Sequence, residues 1–198
     1  MTRVTVLDGG TGNLYNVLNG LRRAGGEPVV LRDPAALADA PRLVIPGVAA
    51  FDAIVRGLGP FQEGLGEARS RDVPILGICA GLQAMYARSE EGASVGLGWL
   101  PGTVRALRAP ILPHMGWTPV WRRQPEPLLD GLADGTPFYF AHSYAAPADG
   151  AAVAATATHG TPFAAVVRAG ATVGVQFHPE RSGRAGRRLL ENFLQEAD

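Results

Sequence analysis

Two short stretches carry residues able to do covalent chemistry. In Gly77-Ile78-Cys79-Ala80-Gly81 the chain's single cysteine stands between two glycines, after the apolar run 73–78 and before Leu82, Gln83, Met85 and Tyr86. The pattern predicts a strand, a tight turn and a helix running to about Ser89. A nucleophile on a sharp strand-to-helix turn needs small neighbours, because its backbone is strained and adjoining turns crowd it. The same turn sets the sulfur at a helix N-terminus, where unpaired N–H groups and the macrodipole favour thiolate over thiol. The ordinary alternative is a buried structural cysteine, since free Cys is among the most buried residue types.

The second stretch, Gly174-Val175-Gln176-Phe177-His178-Pro179-Glu180, ends the last expected strand. Residues two apart on an extended backbone point to one side, which sets the Glu180 carboxylate beside the His178 imidazole. Pro179 fixes φ between them and stops ladder pairing. A carboxylate next to an imidazole holds its tautomer and stabilises the imidazolium, as an acid–base histidine requires. Alone, His-x-Glu reads equally as a strand-end histidine with a surface glutamate. Joined to Gly-x-Cys-x-Gly in a chain with one cysteine, it points to a nucleophile and its proton partner.

The elements that must bring these stretches together are legible in outline. Residues 3–8 alternate as a first strand, and Asp8-Gly9-Gly10-Thr11-Gly12-Asn13 forms a glycine-rich turn with Asn13 placed to cap a helix. Leu14, Val17, Leu18 and Leu21 recur at helical spacing up to Gly25-Gly26. A strand over 28–32, a short helix near 35–38 and a strand over 42–45 follow. Pro46-Gly47-Val48-Ala49 breaks that strand, and Phe51, Ile54, Val55 and Leu58 open another helical face. Such alternation predicts an α/β fold: a doubly wound, mostly parallel sheet flanked by helices, whose ligands bind beyond the carboxyl ends of the strands. After residue 92 helical periodicity gives way to short strands over 103–107, 117–121, 137–144, 151–158, 163–168 and 172–177. These predict an antiparallel strand extension in the C-terminal half, closed by a helix over 186–196 that buries Leu189, Leu190, Phe193 and Leu194.

Composition narrows the function. The 198 residues suit one domain, 1–198, and 46% apolar against 18% charged residues is globular. Eighteen basic residues balance eighteen acidic ones, which argues against binding driven by nucleic-acid phosphates. All eighteen are arginine, so Schiff-base chemistry, a pyridoxal-phosphate lysine and a Walker P-loop are excluded. One cysteine forbids an internal disulfide and fits a reducing, cytoplasmic setting. No apolar run approaches the roughly 20 residues of a membrane span. The glycines at 9, 10 and 12 do not make G-x-G-x-x-G, Glu90-Glu91 reads as a solvated helix end, and four scattered histidines with one cysteine close no metal site. His159 reads as a turn residue, and His114 and His142 as interface or packing.

Gly77–Gln83 together with Phe177–Glu180 resembles the class I (triad) glutamine amidotransferase family, in the family's order Cys…His-x-Glu. Further segments are similar to one branch, the glutaminase subunits of imidazole glycerol phosphate synthase. They are Gly12-Asn13-Leu14, Pro46-Gly47-Val48, Pro113-His114-Met115-Gly116-Trp117, Tyr139–Tyr144 and Gln176–Ser182, and the resemblance spans essentially the whole chain. It implies Cys79 as nucleophile, His178 as general acid/base and Glu180 as its orienter. It implies an oxyanion hole from the Ala80 N–H and the Gly47-Val48 peptide, and glutamine held by Gln83 and the Ser143-Tyr144 backbone. It also implies no cofactor and a separate (β/α)₈-barrel cyclase partner that receives ammonia, facing Asn13, Met115, Trp117 and Arg181. Glutaminases serving pyridoxal phosphate, anthranilate or GMP synthesis are the nearest rival reading. A related cysteine-elbow fold without glutaminase activity is a rival of another class. Three positions depart from the family pattern: Gly9 stands where Tyr is usual, Arg181 where Lys is usual, and Ala49 where the Pro-Gly-Val turn usually ends in Gly. Ala49 can restrict a peptide that must rearrange, which predicts low basal glutaminase activity that rises when the cyclase and its ligand bind.

Overall fold

The computed structural model describes residues 1–10 and 13–196; Thr11 and Gly12, part of the glycine-rich turn and of the Gly12-Asn13-Leu14 stretch, lie outside the described residues. The first half runs β1 (Thr2–Leu7), α1 (Leu14–Arg23), β2 (Gly26–Leu31), β3 (Leu43–Gly47), α2 (Phe51–Leu58), α3 (Gln62–Ser70), β4 (Ile75–Cys79) and α4 (Ala80–Gln83). The second runs β5 (Tyr86–Ser89), β6 (Leu100–Ala106), β7 (His114–Pro119), β8 (Trp121–Arg122), β9 (Pro137–His142), β10 (Tyr144–Ala145), β11 (Val153–His159), β12 (Thr161–Ala169), β13 (Thr172–Val175) and α5 (Gly183–Gln195).

Among the described residues the main sheet has eight strands in the order β2-β1-β3-β4-β13-β12-β11-β8. From β2 to β13 the pairings are parallel, and from β13 to β8 antiparallel. The doubly wound core with an antiparallel extension expected from the sequence is therefore observed. Strand alternation sorts side chains onto two faces. Val4, Val6, Val44, Leu76, Ile78, Val173 and Val175 pack with Val17 and Leu21 of α1 and Leu189, Leu190 and Phe193 of α5. Leu7, Leu43, Ile45 and Ile75 pack instead with Ile54 and Leu58 of α2 and Leu65 and Ala68 of α3. Burying each such side chain contributes roughly 1.5–3 kcal/mol, which is why the strands read as near-continuous apolar runs.

This topology decides where chemistry can happen. β13 returns from the antiparallel region to lie beside β4, with Val175 opposite Ile78. The chain leaving β13 at Gln176–Glu180 is thereby delivered next to Cys79, nearly a hundred residues earlier in sequence.

Two local expectations give way. The helix after Cys79 stops at Gln83, and 86–89 form a strand rather than continuing to Ser89 as helix. The backbone carbonyls it would need are taken by a later segment: Leu97 N–H donates to Ala84 O (2.8 Å) and Trp99 N–H to Met85 O (2.8 Å). Long-range pairing overrides a helical pattern here. Glu90 and Glu91 accordingly follow a strand, not a helix. Likewise His178 and Glu180 do not lie along one extended strand; residues 179–181 form a 3₁₀ turn with Pro179 in its first position.

Candidate active site

Cys79 ends β4 with φ 53° and ψ −109°, a left-handed conformation that costs a non-glycine residue about 1–3 kcal/mol. Close packing around the turn holds it there. A Cβ on Gly81 would lie 1.9 Å from the Ile45 carbonyl oxygen, and one on Gly47 would lie 2.7 Å from the Gly81 nitrogen. Glycine at 81 and 47 lets β3 and the start of α4 touch backbone to backbone, and the elbow is forced upward between them. The sulfur reaches a cleft of about 440 Å³ at the carboxyl edge of the parallel strands.

His178 and Glu180 line the same cleft. His178 Nδ1 and Glu180 Oε1 are 2.8 Å apart, and both side chains are nearly buried. Burial opposes charge on the imidazole, but the hydrogen bonds and attraction of the Cys79 sulfur and the Glu180 carboxylate outweigh it and raise its pKa to about 10. The ring is anchored from behind: His178 N–H donates to Tyr139 O (2.8 Å), and the Ser182 hydroxyl donates to His178 O (2.6 Å) while accepting from Tyr139 N–H (3.0 Å). Glu180 Oε2 is buried with no hydrogen-bond partner among the described residues, which leaves the carboxylate's charge to the imidazole. An imidazolium held by a carboxylate beside a sulfur can protonate a leaving group during attack by that sulfur.

The expected binding residues divide. Val48, Ala80, Gln83, Ser143 and Tyr144 line the cleft. Ala80 opens α4, so its N–H has no partner within the helix. Gly47 lies beneath the surface, packed on the Ala80-Gly81 peptide, rather than on the cleft wall. Gln83 Nε2 donates to Tyr144 O (2.8 Å) and to Gln176 Oε1 (3.2 Å), and Gln176 Nε2 points at Cys79 Sγ (3.6 Å).

Of the residues expected at a partner surface, Asn13 and Arg181 lie on the cleft rim. Asn13 also caps α1, its side chain accepting from Asn16 N–H (3.4 Å). Met115 and Trp117 lie on β7, 63% and 55% exposed, which excludes core packing for either. The Trp117 ring meets Tyr139 edge-on at 6.2 Å, and the Arg181 guanidinium lies 4.2 Å over the same Tyr139 ring. At the Gly9 departure, a Cβ would fall 3.2 Å from the Gly57 carbonyl of α2, so the two glycines let the turn and the helix approach backbone to backbone where a side chain would crowd them. Ala49 lines the cleft beside Val48.

Sequence reasoning assigned no role to several residues that the structure brings to the cleft. Gln176 is fully buried between Val175 and Phe177, and a polar residue in an apolar strand was its signal. Glu91, read as solvated, lines the cleft with Oε2 accepting the Phe51 N–H (2.9 Å) at the start of α2. No local pattern announced it. The histidines are not scattered: His114, His142 and His159 pack together, with His114 stacked on His159 at 4.2 Å. His159 is the last residue of β11 before the turn at Gly160. Among the described residues no group of three or more His, Cys, Asp or Glu side chains is arranged to hold a metal ion. No helix among them is long and apolar enough to cross a membrane.

Comparison with known proteins shows the family. The family model for glutamine amidotransferase class-I matches residues 5–197, and the chain belongs to that family. It is 42% identical to the imidazole glycerol phosphate synthase subunit HisH of Synechococcus elongatus, over 97% of this chain and 92% of the relative. It is 43% identical to the subunit of the same name from Mycobacterium leprae, over 98% and 97% of the two chains. A crystal structure of a glutamine amidotransferase superposes with a TM-score of 0.77 over 97% of both chains at 20% identity, a likeness of fold.

Proposed function

We propose that this chain is the glutaminase subunit of imidazole glycerol phosphate synthase, a single amidotransferase domain over 1–198 that supplies ammonia for histidine biosynthesis in the cytoplasm. The observation that carries the reading is the strained Cys79 elbow sharing one cleft with the buried His178–Glu180 pair. The Cys79 sulfur adds to the side-chain carboxamide carbon of glutamine. The Ala80 N–H and the Gly47-Val48 peptide hold the oxyanion, each donor contributing on the order of 3 kcal/mol. His178 gives its proton to the departing ammonia, leaving a glutamyl thioester, then takes a proton from water as the thioester is hydrolysed to glutamate. Glu180 keeps the imidazole oriented throughout. No cofactor is needed for these steps.

The amino-acid end of glutamine fits the opposite wall. Both hydrogens of Gln83 Nε2 are committed to oxygen acceptors, so Gln83 Oε1 faces the cleft as an acceptor. Glu91 adds a carboxylate there, suited to an ammonium group. The Ser143-Tyr144 backbone completes the wall. A (β/α)₈-barrel cyclase subunit would dock on the rim of Asn13, Met115, Trp117 and Arg181, where aromatic, methionine and arginine side chains stand exposed beside the cleft. Ala49 in the Pro46–Ala49 turn supports low activity for the chain alone. The test is glutamate release from glutamine with and without the cyclase: activity that rises with the cyclase and vanishes in Cys79→Ala supports the reading, and release that survives Cys79→Ala ends it.

A further inference from the structure

From the cleft wall inward, four groups form a hydrogen-bonded chain whose direction is set at one end. His142 Nδ1 lies 2.9 Å from Tyr144 O, and a carbonyl oxygen only accepts, so Nδ1 carries the hydrogen. Burial holds His142 at a pKa of about 3 and His114 at about 4, so both rings are neutral near pH 7. His142 Nε2 is then a bare acceptor and takes its hydrogen bond from His114 Nδ1 at 3.1 Å. His114 Nε2 is bare in turn and accepts from the Thr118 hydroxyl at 2.8 Å. Each tautomer follows from the one before it. The rings sit among Phe140, Phe163 and His159, whose own Nε2 donates to Ile111 O at 2.8 Å. The chain ends on an oxygen that also receives Gln83 Nε2 at 2.8 Å. His142 and Gln83 thus share one carbonyl, and that shared oxygen decides which way the Gln83 amide points.

We infer that His114 and His142 are positioning residues for the substrate: the Thr118–His114–His142 chain pins the Tyr144 carbonyl, fixes the orientation of the Gln83 amide, and so keeps an acceptor, not a donor, facing the amino-acid end of glutamine. The inference rests on the glutaminase reading, since it names the end of that substrate which the relay serves. It also gives β7 a task beyond the surface that Met115 and Trp117 present: the strand's inward residues, His114 and Thr118, reach the substrate wall through β9, where His114 is paired with His142.

The assay is glutamine kinetics of the full chain assembled with its cyclase. Losing one donor to a carbonyl that orients the substrate acceptor corresponds to about tenfold in KM for His142→Leu, with kcat changed by less than about threefold. In His142→Asn the side-chain amide places an N–H where Nδ1–H stands, and KM returns to within about threefold of wild type. Labelling of Cys79 gives a second readout: a glutamine-shaped diazoketone reacts more slowly with His142→Leu, while iodoacetamide, which lacks the amino-acid end, reacts at the wild-type rate. If His142→Leu fails to fold, Thr118→Val removes only the first donor of the chain and should still raise KM by about twofold. A wild-type KM in His142→Leu or, failing that, in Thr118→Val overturns the inference, as does an Asn variant as impaired as the Leu variant. No glutamate release from the wild-type complex would instead overturn the glutaminase reading beneath it.

Discussion

His178 and His142 line the same cleft and each makes a short hydrogen bond to an oxygen, yet one is held as a cation and the other as a neutral ring. Burial works against charge on both. What differs is the company. His178 faces a carboxylate and a sulfur, which together lift its pKa to about 10. His142 faces a backbone carbonyl and a second neutral imidazole, and feels the positive charge of His178, so its pKa falls to about 3. A full carboxylate charge offsets desolvation; a carbonyl dipole does not. The same residue type is therefore held with its proton at one place and as a neutral hydrogen-bonded ring at another.

The sharpest way to break this contrast is to remove the chemistry that the charged histidine serves. Cys79→Ala should lower glutaminase kcat by about 10⁵-fold or more, measured as glutamate release in the presence of the cyclase. Replacing Glu180 by Gln should cost on the order of 10²- to 10³-fold, because the imidazole loses both its orientation and the charge that holds its proton. The pH profile separates these effects. In the proposed mechanism His178 gives a proton to the departing ammonia, so activity should fall on the alkaline side with an apparent pKa near 10. In Glu180→Gln that limb should move to lower pH, and an unmoved limb would show that the carboxylate does not set the charge.

The charged half of the site was legible from sequence and the neutral half was not. Gly77–Gly81 and His178–Glu180 announce themselves because a strained nucleophile demands glycine neighbours and an imidazolium demands a carboxylate nearby. Parallel strands could be read from apolar runs and glycine turns, and the pairing of β13 with β4 then brought the two motifs together. The Thr118–His114–His142 relay depends on β7 lying antiparallel to β9 with His114 opposite His142, a register that no local pattern encodes. Glu91 escaped for the same reason: only the pairing of β5 with β6 turns the chain so that its carboxylate meets the start of α2. Gln83 could be named as a candidate binding residue, but the orientation of its amide could not be read, because Tyr144 O and Gln176 Oε1 come from segments far along the chain.

The smallest expected effect is also the one that tests both histidine environments in a single measurement. His178 binds its proton more tightly in the folded chain than at its ordinary value of 6.5. Its contribution to stability is fully present below 6.5 and is lost as pH rises toward about 10. His114 and His142 bind protons less tightly in the folded chain, with values of about 4 and about 3. Their contribution is fully present above 6.5 and is lost as pH falls toward those values, because the unfolded chain takes up protons that the folded chain refuses. Between them the three rings make the midpoint of thermal unfolding highest near neutral pH, with slopes of opposite sign on either side. His178→Asn should flatten the alkaline slope and leave the acid one. His114→Phe, set among Phe140 and Phe163, should lower the midpoint at neutral pH by leaving His142 Nε2 without its donor, and should weaken the acid slope. Melting curves collected from pH 4 to 10 would read both slopes, and an acid slope untouched by His114→Phe would mean that the buried pair is not kept neutral by its surroundings.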